Sequence, residues 1–384
     1  MILRVPDYYE EFSCIASQCK DSCCAGWEID IDEESYAYYR SCADSFGERL
    51  RDSMYIAEDG GYRFKLKGHK RCAMLNDDNL CDLYTALGEE ALCEVCTEYP
   101  RFSLFYGDVQ QKALSLSCEE VGRILFSREE KVHFVDHKMP DYYEDGEAAE
   151  EDAEEDRDYI DFLEWAQNEG IAILQNRDLS IPDRMCAFLF WFEEVQKVTN
   201  RYQAHEDREI LEEWRRQKSG ERARTVPSHK RILSYTDFQE RFLIFEEMEE
   251  LDTEWIHSKQ EFRELYSEES YERILTEYLE SADYSEIWDE QLLVYFVSRY
   301  FMNAAYDYDA ISYAKLVIVA TLVIRDMDAA RFRRNHGTFA LFDRIDIARI
   351  FSKEVEHSEG NAEELKEMCM MEEIASVEAL YRQI

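Results

Sequence analysis

The sequence has 384 residues, of which 85 are acidic and 44 basic, so its formal net charge is -41. This negative charge argues against a nucleic-acid partner, because phosphate binding needs a basic surface. Its length is enough to bury a full core and predicts two domains. The longest apolar run, residues 316–324, is too short to cross a bilayer, so we expect a buried helix and no membrane partner.

Charge patterns predict the first elements of the chain. Residues 27–32 alternate apolar and acidic side chains, which predicts a half-buried strand with one acidic face. A helix is expected over 33–41, followed by a basic strand over 62–68. Opposite charges attract across a strand pair, so we expect the basic strand to lie beside the acidic one. The basic strand leads into Lys70 and Arg71, next to a cysteine.

Residues 76–79 have the composition of a turn, and 82–96 have the apolar spacing of a helix that ends before Pro100. Residues 141–158 are almost wholly acidic and predict a flexible linker. Beyond the linker, a capped helix start is expected at Ser180. Further helices are predicted over 237–259, 268–279, 289–306, 311–326, 345–357 and from 362 onward.

These patterns together predict a mainly α protein. A small cysteine-rich α+β metal-binding domain is expected over 1–140, an acidic linker over 141–158 and an all-helical domain over 159–384.

The cysteines are concentrated near the start of the chain. Ten of the twelve lie between residues 14 and 118, and the other two are Cys186 and Cys369. The first residues lack a signal-peptide pattern, so we expect a cytoplasmic protein whose thiols stay reduced and serve as metal ligands. We interpret Cys42, Cys186 and Cys369 as structural thiols. The candidate ligands are Cys14, Cys19, Cys23, Cys24, Cys72, Cys81, Cys93, Cys96 and Cys118.

Two metal centres suit a cysteine-only ligand set, namely zinc and an iron–sulfur cluster. Zinc ribbons usually carry two Cys-x2-Cys pairs, whereas this chain has only Cys93 and Cys96 at that spacing. The adjacent Cys23 and Cys24 suit a single tetrahedral zinc poorly and are better tolerated by a cluster or by two metal sites. Nine thiols also exceed the four that one centre needs, so both metals and either number of sites remain open.

Several short motifs match a known family. They are Phe12-Ser13-Cys14, Cys23-Cys24-x-Gly26-Trp27, Asn79-Leu80-Cys81, Leu87-Gly88-Glu89-Glu90, Cys96-x2-Tyr99-Pro100-Arg101, Leu116-Ser117-Cys118 and residues 352–358. In these motifs the chain resembles the flagellin lysine-N-methylase family, which has a zinc- or iron-chelating cysteine domain first and a helical region after it. The Cys-x4-Cys-x3-Cys-Cys spacing departs from the Cys-x2-Cys-x2-Cys-Cys shorthand of that family, which leaves the ligand set open.

The resemblance implies a methyltransferase that moves methyl groups from S-adenosylmethionine to lysine side chains of flagellin, with a [4Fe-4S] cluster in its cysteine domain. The chain has no Gly-x-Gly-x-x-Gly nucleotide motif, so the adenosylmethionine site must be unconventional. Gly26 replaces the last cysteine of the radical-enzyme pattern Cys-x3-Cys-x2-Cys. Direct polar transfer is therefore the favoured mechanism.

A lysine amine has a pKa of about 10.4, so an enzyme that methylates it must desolvate the amine or supply a base. The candidate catalytic residues are Glu354, Glu356, His357, Tyr295 and Tyr300. The candidate cofactor-binding residues are Arg101 and Arg299. Each of these side chains is otherwise explained as a solvated helix residue or part of a core.

One alternative of a different class remains: a metal-stabilised module, holding zinc or iron, that binds a protein partner through its helical domain and has no catalytic activity.

Overall fold

The computed structural model of this protein describes residues 1–20, 22–139, 156–218, 232–251, 253–371 and 375–384. Within these ranges every strand lies before residue 139, and the chain after residue 156 is helical apart from its connections. The predicted fold class, mainly α with a small α+β part first, is confirmed. Most of the predicted acidic linker, residues 141–155, lies outside the described residues, and Arg157 already begins a helix.

Strands form three small sheets within the described residues. They are β1 (Ile2–Pro6), β2 (Asp30–Ile31), β3 (Met54–Ile56), β4 (Tyr62–Phe64), β5 (Leu66–Lys67), β6 (Arg71–Cys72), β7 (Arg101–Tyr106), β8 (Val109–Leu114) and β9 (Phe134–Lys138). The first sheet has the order β7-β8-β1-β9, the second β2-β4-β3, and the third pairs β5 with β6. Strand β1 runs parallel to β8 and antiparallel to β9. The four-stranded sheet was not predicted.

The pairing of the acidic strand with the basic one is confirmed. Strands β2 and β4 are antiparallel, with Asp30 opposite Arg63. The Arg63 Nε donates to the Asp30 carboxylate at 2.7 Å, and Glu28 lies 3.4 Å from the same nitrogen. Ile29 and Ile31 are buried on the opposite face, as the alternation predicts.

Short helices complete the cysteine-rich part of the chain. They are α1 (Glu33–Ser41), α2 (Ser45–Asp52), α3 (Asp82–Leu87), α4 (Glu94–Glu98) and α5 (Glu119–Phe126). The predicted helix α1 is confirmed, but the single helix predicted over 82–96 is wrong. Gly88 has φ +89° and ends α3, because only glycine adopts such a conformation without strain. Cys93 then lies just before α4 instead of inside a helix.

The rest of the described chain consists of long helices. They are α6 (Arg157–Leu174), α7 (Ile181–His205), α8 (Arg208–Lys218), α9 (Tyr235–Glu247), α10 (Thr253–Leu265), α11 (Tyr271–Leu279), α12 (Glu286–Tyr300), α13 (Ala304–Asp307), α14 (Ala310–Arg334), α15 (Leu341–Glu356), α16 (Glu359–Met370) and α17 (Val377–Gln383). Ser180 caps α7 as predicted, accepting from the Asp183 amide. The single helix predicted over 237–259 is wrong, since α9 and α10 divide that stretch. Helices α6 and α8 were not predicted.

Two hydrophobic cores divide the described residues. A small core holds Ile29, Tyr39 and Phe64 together with the buried thiols of Cys72 and Cys93. A large core surrounds α14, whose residues 316–324 are buried as predicted. The four-stranded sheet and α5 share this large core with the helices. Among the described helices, none has the length and apolarity that crossing a membrane requires.

Helix α5 packs against α15 at a glycine. A Cβ atom at Gly122 would lie 3.0 Å from Cγ2 of Ile345, so the two helices are in close contact there. This packing holds residues 115–118, the connection between β8 and α5, against the helical part of the chain.

Candidate functional site

A buried carboxylate lies where the β8–α5 connection meets α12 and α15. Glu356, on the last turn of α15, has a side chain that is only 2% exposed. The Tyr295 hydroxyl lies 2.7 Å and 2.9 Å from its two oxygens. The Ser115 hydroxyl donates to the same carboxylate at 2.6 Å, and the Tyr295 oxygen accepts from the Leu116 amide at 3.1 Å.

The electrostatics of this contact fix the donor. Burial, followed by the negative charge of Glu356, raises the pKa of Tyr295 well above its ordinary value. The phenol therefore keeps its proton and donates to the carboxylate. Arg299 Nε lies 3.8 Å from Glu356, so a guanidinium also faces the carboxylate.

His357 links this carboxylate region to a small aromatic wall. Its Nε2 lies 3.1 Å from the hydroxyl of Ser117, which contacts the Ser115 hydroxyl at 2.7 Å. The ring centroid of His357 lies 5.4 Å from that of Trp27 and 5.9 Å from that of Tyr99. Hydroxyl groups and rings from the cysteine-rich part thus converge on the end of α15.

The aromatic wall is tied to the cysteine loop. Trp27 Nε1 donates to the backbone oxygen of Cys23 at 2.7 Å. The Tyr99 hydroxyl lies 3.1 Å from that of Ser117, one residue before Cys118. The Glu356 carboxylate therefore lies near the aromatic wall and near two candidate metal ligands. These ligands are Cys23 and Cys118.

Arg299 and Tyr300 lie together beside Glu356, whereas Arg101 lies elsewhere. The Arg299 guanidinium lies over the Phe102 ring at 3.9 Å and 5.5 Å from the Tyr300 ring, beside Glu356. Burial raises the pKa of Tyr300, so its hydroxyl stays protonated. Arg101 instead lies 5.4 Å from the ring of Phe12, towards the N-terminal segment.

Glu354 is not part of this group. Residues two apart on a helix point about 200° apart, so Glu354 and Glu356 face different neighbours. The Glu354 side chain is fully buried and accepts from the Leu251 amide at 2.9 Å, in the connection between α9 and α10.

The candidate ligands from the start of the chain gather with Cys118. The Lys20 amide donates to Glu119 at 2.6 Å, which brings the loop that contains Cys19 to the start of α5. Burial, followed by the proximity of Cys118, raises the pKa of Cys19 to about 12. Burial also raises the pKa of Cys118, to about 11.

The other candidate ligands line the small core. The Cys72 amide donates to the Cys24 backbone oxygen at 2.8 Å, and the Cys96 amide to that of Cys93 at 3.0 Å. Burial raises the pKa of Cys72 to about 12 and also raises that of Cys81. Arg71 directly precedes Cys72 in the sequence. The Arg71 charge instead helps to lower the pKa of Cys24, for which a hydrogen bond from Cys23 is the largest cause.

Thiols are suitable metal ligands, but their positions in the described residues do not form a site for a single metal ion. Within the described residues, no three His, Cys, Asp or Glu side chains are placed to hold one metal ion. A tetrahedral zinc with bonds of about 2.3 Å needs its sulfur atoms within about 4 Å of one another. Thiolates are the ligands of both structural zinc and iron–sulfur clusters, so the chemistry of the donor set suits either centre. Cys186 and Cys369 lie buried among the helices, away from this set.

Sequence reasoning assigned no role to Ser115, Ser117, Trp27 or Tyr99. Three of them lie in the motifs that carry the resemblance: Trp27 is three residues after Cys24, Tyr99 is three residues after Cys96, and Ser117 directly precedes Cys118, and that proximity was the signal available. Ser115 carried none, because an isolated serine after a strand has no distinctive pattern.

The helical side of this site lies within a known family. The model of the FliB lysine N-methylase C-terminal domain matches residues 168–382, more than half of the chain. This chain belongs to the FliB lysine N-methylase family. Tyr295, Arg299, Tyr300, Glu356 and His357 all fall inside the matched range.

Curated proteins with related sequences agree with that assignment. The chain is 30% identical over 126 residues to the lysine-N-methylases of Salmonella typhimurium and Salmonella choleraesuis, and the match covers 31% of each chain. It is 32% identical over 126 residues to the flagellar biosynthetic protein FliU of Salmonella muenchen, covering 31% of this chain and 75% of FliU. The chain thus spans about a third of the length of the two lysine-N-methylases. No solved structure matches.

Proposed function

We propose that this FliB-family protein is a protein-lysine N-methyltransferase that uses S-adenosylmethionine to methylate lysine side chains of flagellin. Membership of the lysine N-methylase family supports the reaction. The flagellar biosynthetic name of the FliU relative supports the substrate. The absence of a glycine-rich nucleotide motif means that the methyl donor binds in a site of a different kind.

The observation that carries the proposal is the buried Glu356 carboxylate with its hydroxyl donors. S-Adenosylmethionine supplies a methyl group on a positively charged sulfur, and the acceptor nitrogen gives up one proton for each methyl group that it takes. A lysine ammonium, with a pKa of about 10.4, needs both desolvation and a proton acceptor to react at neutral pH. Glu356 is placed to accept that proton, and Tyr295 and Ser115 hold its carboxylate in position.

A second route for the proton runs through His357. Its Nε2 contacts the Ser117 hydroxyl, which contacts Ser115, which in turn contacts Glu356. A chain of hydroxyl groups of this kind carries a proton between two acceptors without moving heavy atoms. We therefore assign His357 and Glu356 to one proton-accepting unit, within which Tyr295 is a positioning residue.

The aromatic rings of Trp27 and Tyr99 favour cationic groups beside them. Aromatic faces attract an ammonium or sulfonium ion by roughly 1 kcal/mol at partly exposed sites. Arg299, next to Glu356, supplies a guanidinium suited to a carboxylate such as the one in the methionine part of the donor. We propose Tyr300, beside Arg299, as a supporting residue. Arg101, which lies towards the N-terminal segment, and Glu354 are placed outside the reacting groups.

We further propose that the nine N-terminal cysteines include the ligands of a [4Fe-4S] cluster. Such a cluster supplies iron that can bind the amino and carboxylate groups of an amino acid. The chain's own contribution is to hold the ligand loops against the site, through Trp27 on Cys23 and through Glu119 on the Lys20 amide.

The test is methyl transfer by protein purified without oxygen. Iron and labile sulfide are measured first, and the protein is then incubated with S-adenosylmethionine and flagellin from the same organism. We expect flagellin peptides whose lysines have gained whole CH₂ units. Unmodified flagellin after incubation with protein that carries its full complement of iron and sulfide would overturn the proposal.

A further inference from the structure

A polar cleft lies beside the cysteine loop, away from Glu356. Its volume is about 420 Å³. Lys20 reaches it from the loop, and α10, the end of α14 and the first half of α15 supply the rest of its wall. The basic lining residues are Lys20, Arg331 and Arg334. The acidic lining residues are Glu254, Glu261, Asp343 and Asp346.

One ion pair dominates the cleft. The Lys20 ammonium lies 2.9 Å from both oxygens of Asp346. Asp346 is nearly inaccessible, with a side chain that is 1% exposed, and it also accepts from Arg331 at 3.1 Å and from Arg349 at 2.9 Å. The Lys20 side chain is 45% exposed. Two arginines therefore hold the carboxylate in addition to Lys20, whereas the lysine side chain is partly open to solvent and lies 3.7 Å from a second carboxylate, that of Glu254.

Charge and shape decide what could replace Lys20. Including Arg349, which pairs with Asp346 and Glu254, four basic residues face four acidic ones at the cleft, so withdrawal of Lys20 leaves three against four. The cleft then attracts a cation. Among the residues that the structure describes, Ile350 is the only apolar one in the lining, whereas sites for nucleosides and other flat ligands are mostly apolar. A basic side chain presented by a polypeptide matches both properties.

We propose that this cleft is a docking site for a basic side chain of the polypeptide substrate, and that Lys20 occupies the site in the free protein. That the docked polypeptide is a methylation substrate rests on the function proposed above.

The docked residue is distinct from the lysine that reacts. Burial alone would raise the pKa of Asp346, but hydrogen bonds from Lys20 and Arg349 lower it to about 2. An ammonium paired with such a carboxylate keeps its proton and is not a nucleophile. Asp346 and Glu356 are ten residues apart on α15, about 15 Å along the helix. An extended peptide spans that distance in about four or five residues, so the docked basic residue should lie that far from the methylated lysine.

The experiment measures binding without a methyl donor. A fluorescently labelled tetralysine peptide is titrated into the full-length protein and followed by anisotropy. Lys20→Met removes the resident ammonium and should tighten binding about fivefold, as expected for loss of one partly exposed ion pair. Asp346→Asn should weaken binding. The matched control is Lys197→Met, which removes the same charge from an exposed ion pair with Glu194 on α7.

The expected gain in affinity separates docking from damage to the fold, because a misfolded variant loses binding. Equal affinities of Lys20→Met and Lys197→Met, with iron contents equal, would overturn the proposal. So would unchanged binding in Asp346→Asn. These outcomes do not depend on catalysis. A tightened Lys20→Met variant without methyl transfer would support the docking site and count only against the proposed function.

Discussion

Tyr295 joins the helical part of the candidate site to the cysteine-rich part. Its hydroxyl donates to Glu356 on α15 at 2.7 Å, and its oxygen accepts from the Leu116 amide at 3.1 Å. One phenol therefore fixes both the proposed proton acceptor and the backbone that leads to Cys118. Because burial and the charge of Glu356 raise the pKa of Tyr295 well above its ordinary value, the phenol keeps the proton that it donates at neutral pH.

Removal of that hydroxyl should reduce activity more than stability. In Tyr295→Phe, the Leu116 amide and the carboxylate each lose a partner, at a cost of about 1–3 kcal/mol in the free energy of unfolding. Methyl transfer should fall at least tenfold, because the carboxylate is no longer positioned. The measurements are denaturant unfolding and the initial rate of methyl transfer.

The matched control for that variant is Tyr202→Phe. Tyr202 also donates to a carboxylate, that of Asp156 at 2.7 Å, but on α7 and outside the candidate site. We expect a comparable or smaller loss of stability with an unchanged rate. Equal losses of activity in the two variants would show that Tyr295 acts through general stability alone.

The cysteines should divide into ligands and bystanders when each is replaced by serine. Cys118→Ser and Cys72→Ser should lower the iron content of protein purified without oxygen, because each removes a thiolate from the proposed centre. Cys186→Ser, at a buried thiol in the helical core, should keep its iron. The measurements are iron and labile sulfide per chain, together with visible absorption. Full iron content in both ligand variants would contradict the proposed ligand set.

Asp328 should make stability depend on pH. Burial raises its pKa to about 7, with the Arg344 charge opposing and Asp289 adding to the shift. Since the folded form holds its proton more tightly than the unfolded chain, this group destabilises the fold progressively as pH rises from about 4 to about 7. The slope is about 1.4 kcal/mol per pH unit.

The check is the thermal midpoint of Asp328→Asn relative to the natural protein. The amide has no charge to bury. The difference between the midpoint of the variant and that of the natural protein should therefore increase as pH rises from 5 to 7. A constant difference over that range would mean that Asp328 keeps its charge in the fold.

Two helix glycines should respond in opposite ways to alanine. A Cβ at Gly170 would lie 2.7 Å from the ring of Phe192, which is fully buried, so Gly170→Ala should cost about 1–3 kcal/mol of stability. At Gly360, the nearest atom to a new Cβ is the Ser358 hydroxyl at 3.6 Å. Gly360→Ala should therefore stabilise α16 by about 0.5 kcal/mol. Denaturant unfolding measures both, and a stable Gly170→Ala would show that α6 can move away from α7.

The elements that could be predicted from the sequence are those set by residues close together in the chain. Contacts between residues far apart in the sequence could mostly not be predicted. Helix α1 and the cap at Ser180 follow from neighbouring residues, and both are confirmed. The pairing of β2 with β4 was predicted from opposite charges alone. The four-stranded sheet could not be predicted, because β1 pairs with β8 more than a hundred residues away. Tyr295 and Glu356 were chosen separately, and only packing shows that they touch.

The most direct test compares the natural protein with Glu356→Gln, both purified without oxygen and matched for iron content. Each is incubated with S-adenosylmethionine and flagellin, and the lysine-containing peptides are examined by mass spectrometry. The account predicts methylated lysines with the natural protein and a rate lower by about a hundredfold with Glu356→Gln. Equal methylation by the two proteins would contradict the assignment of Glu356 as the proton acceptor.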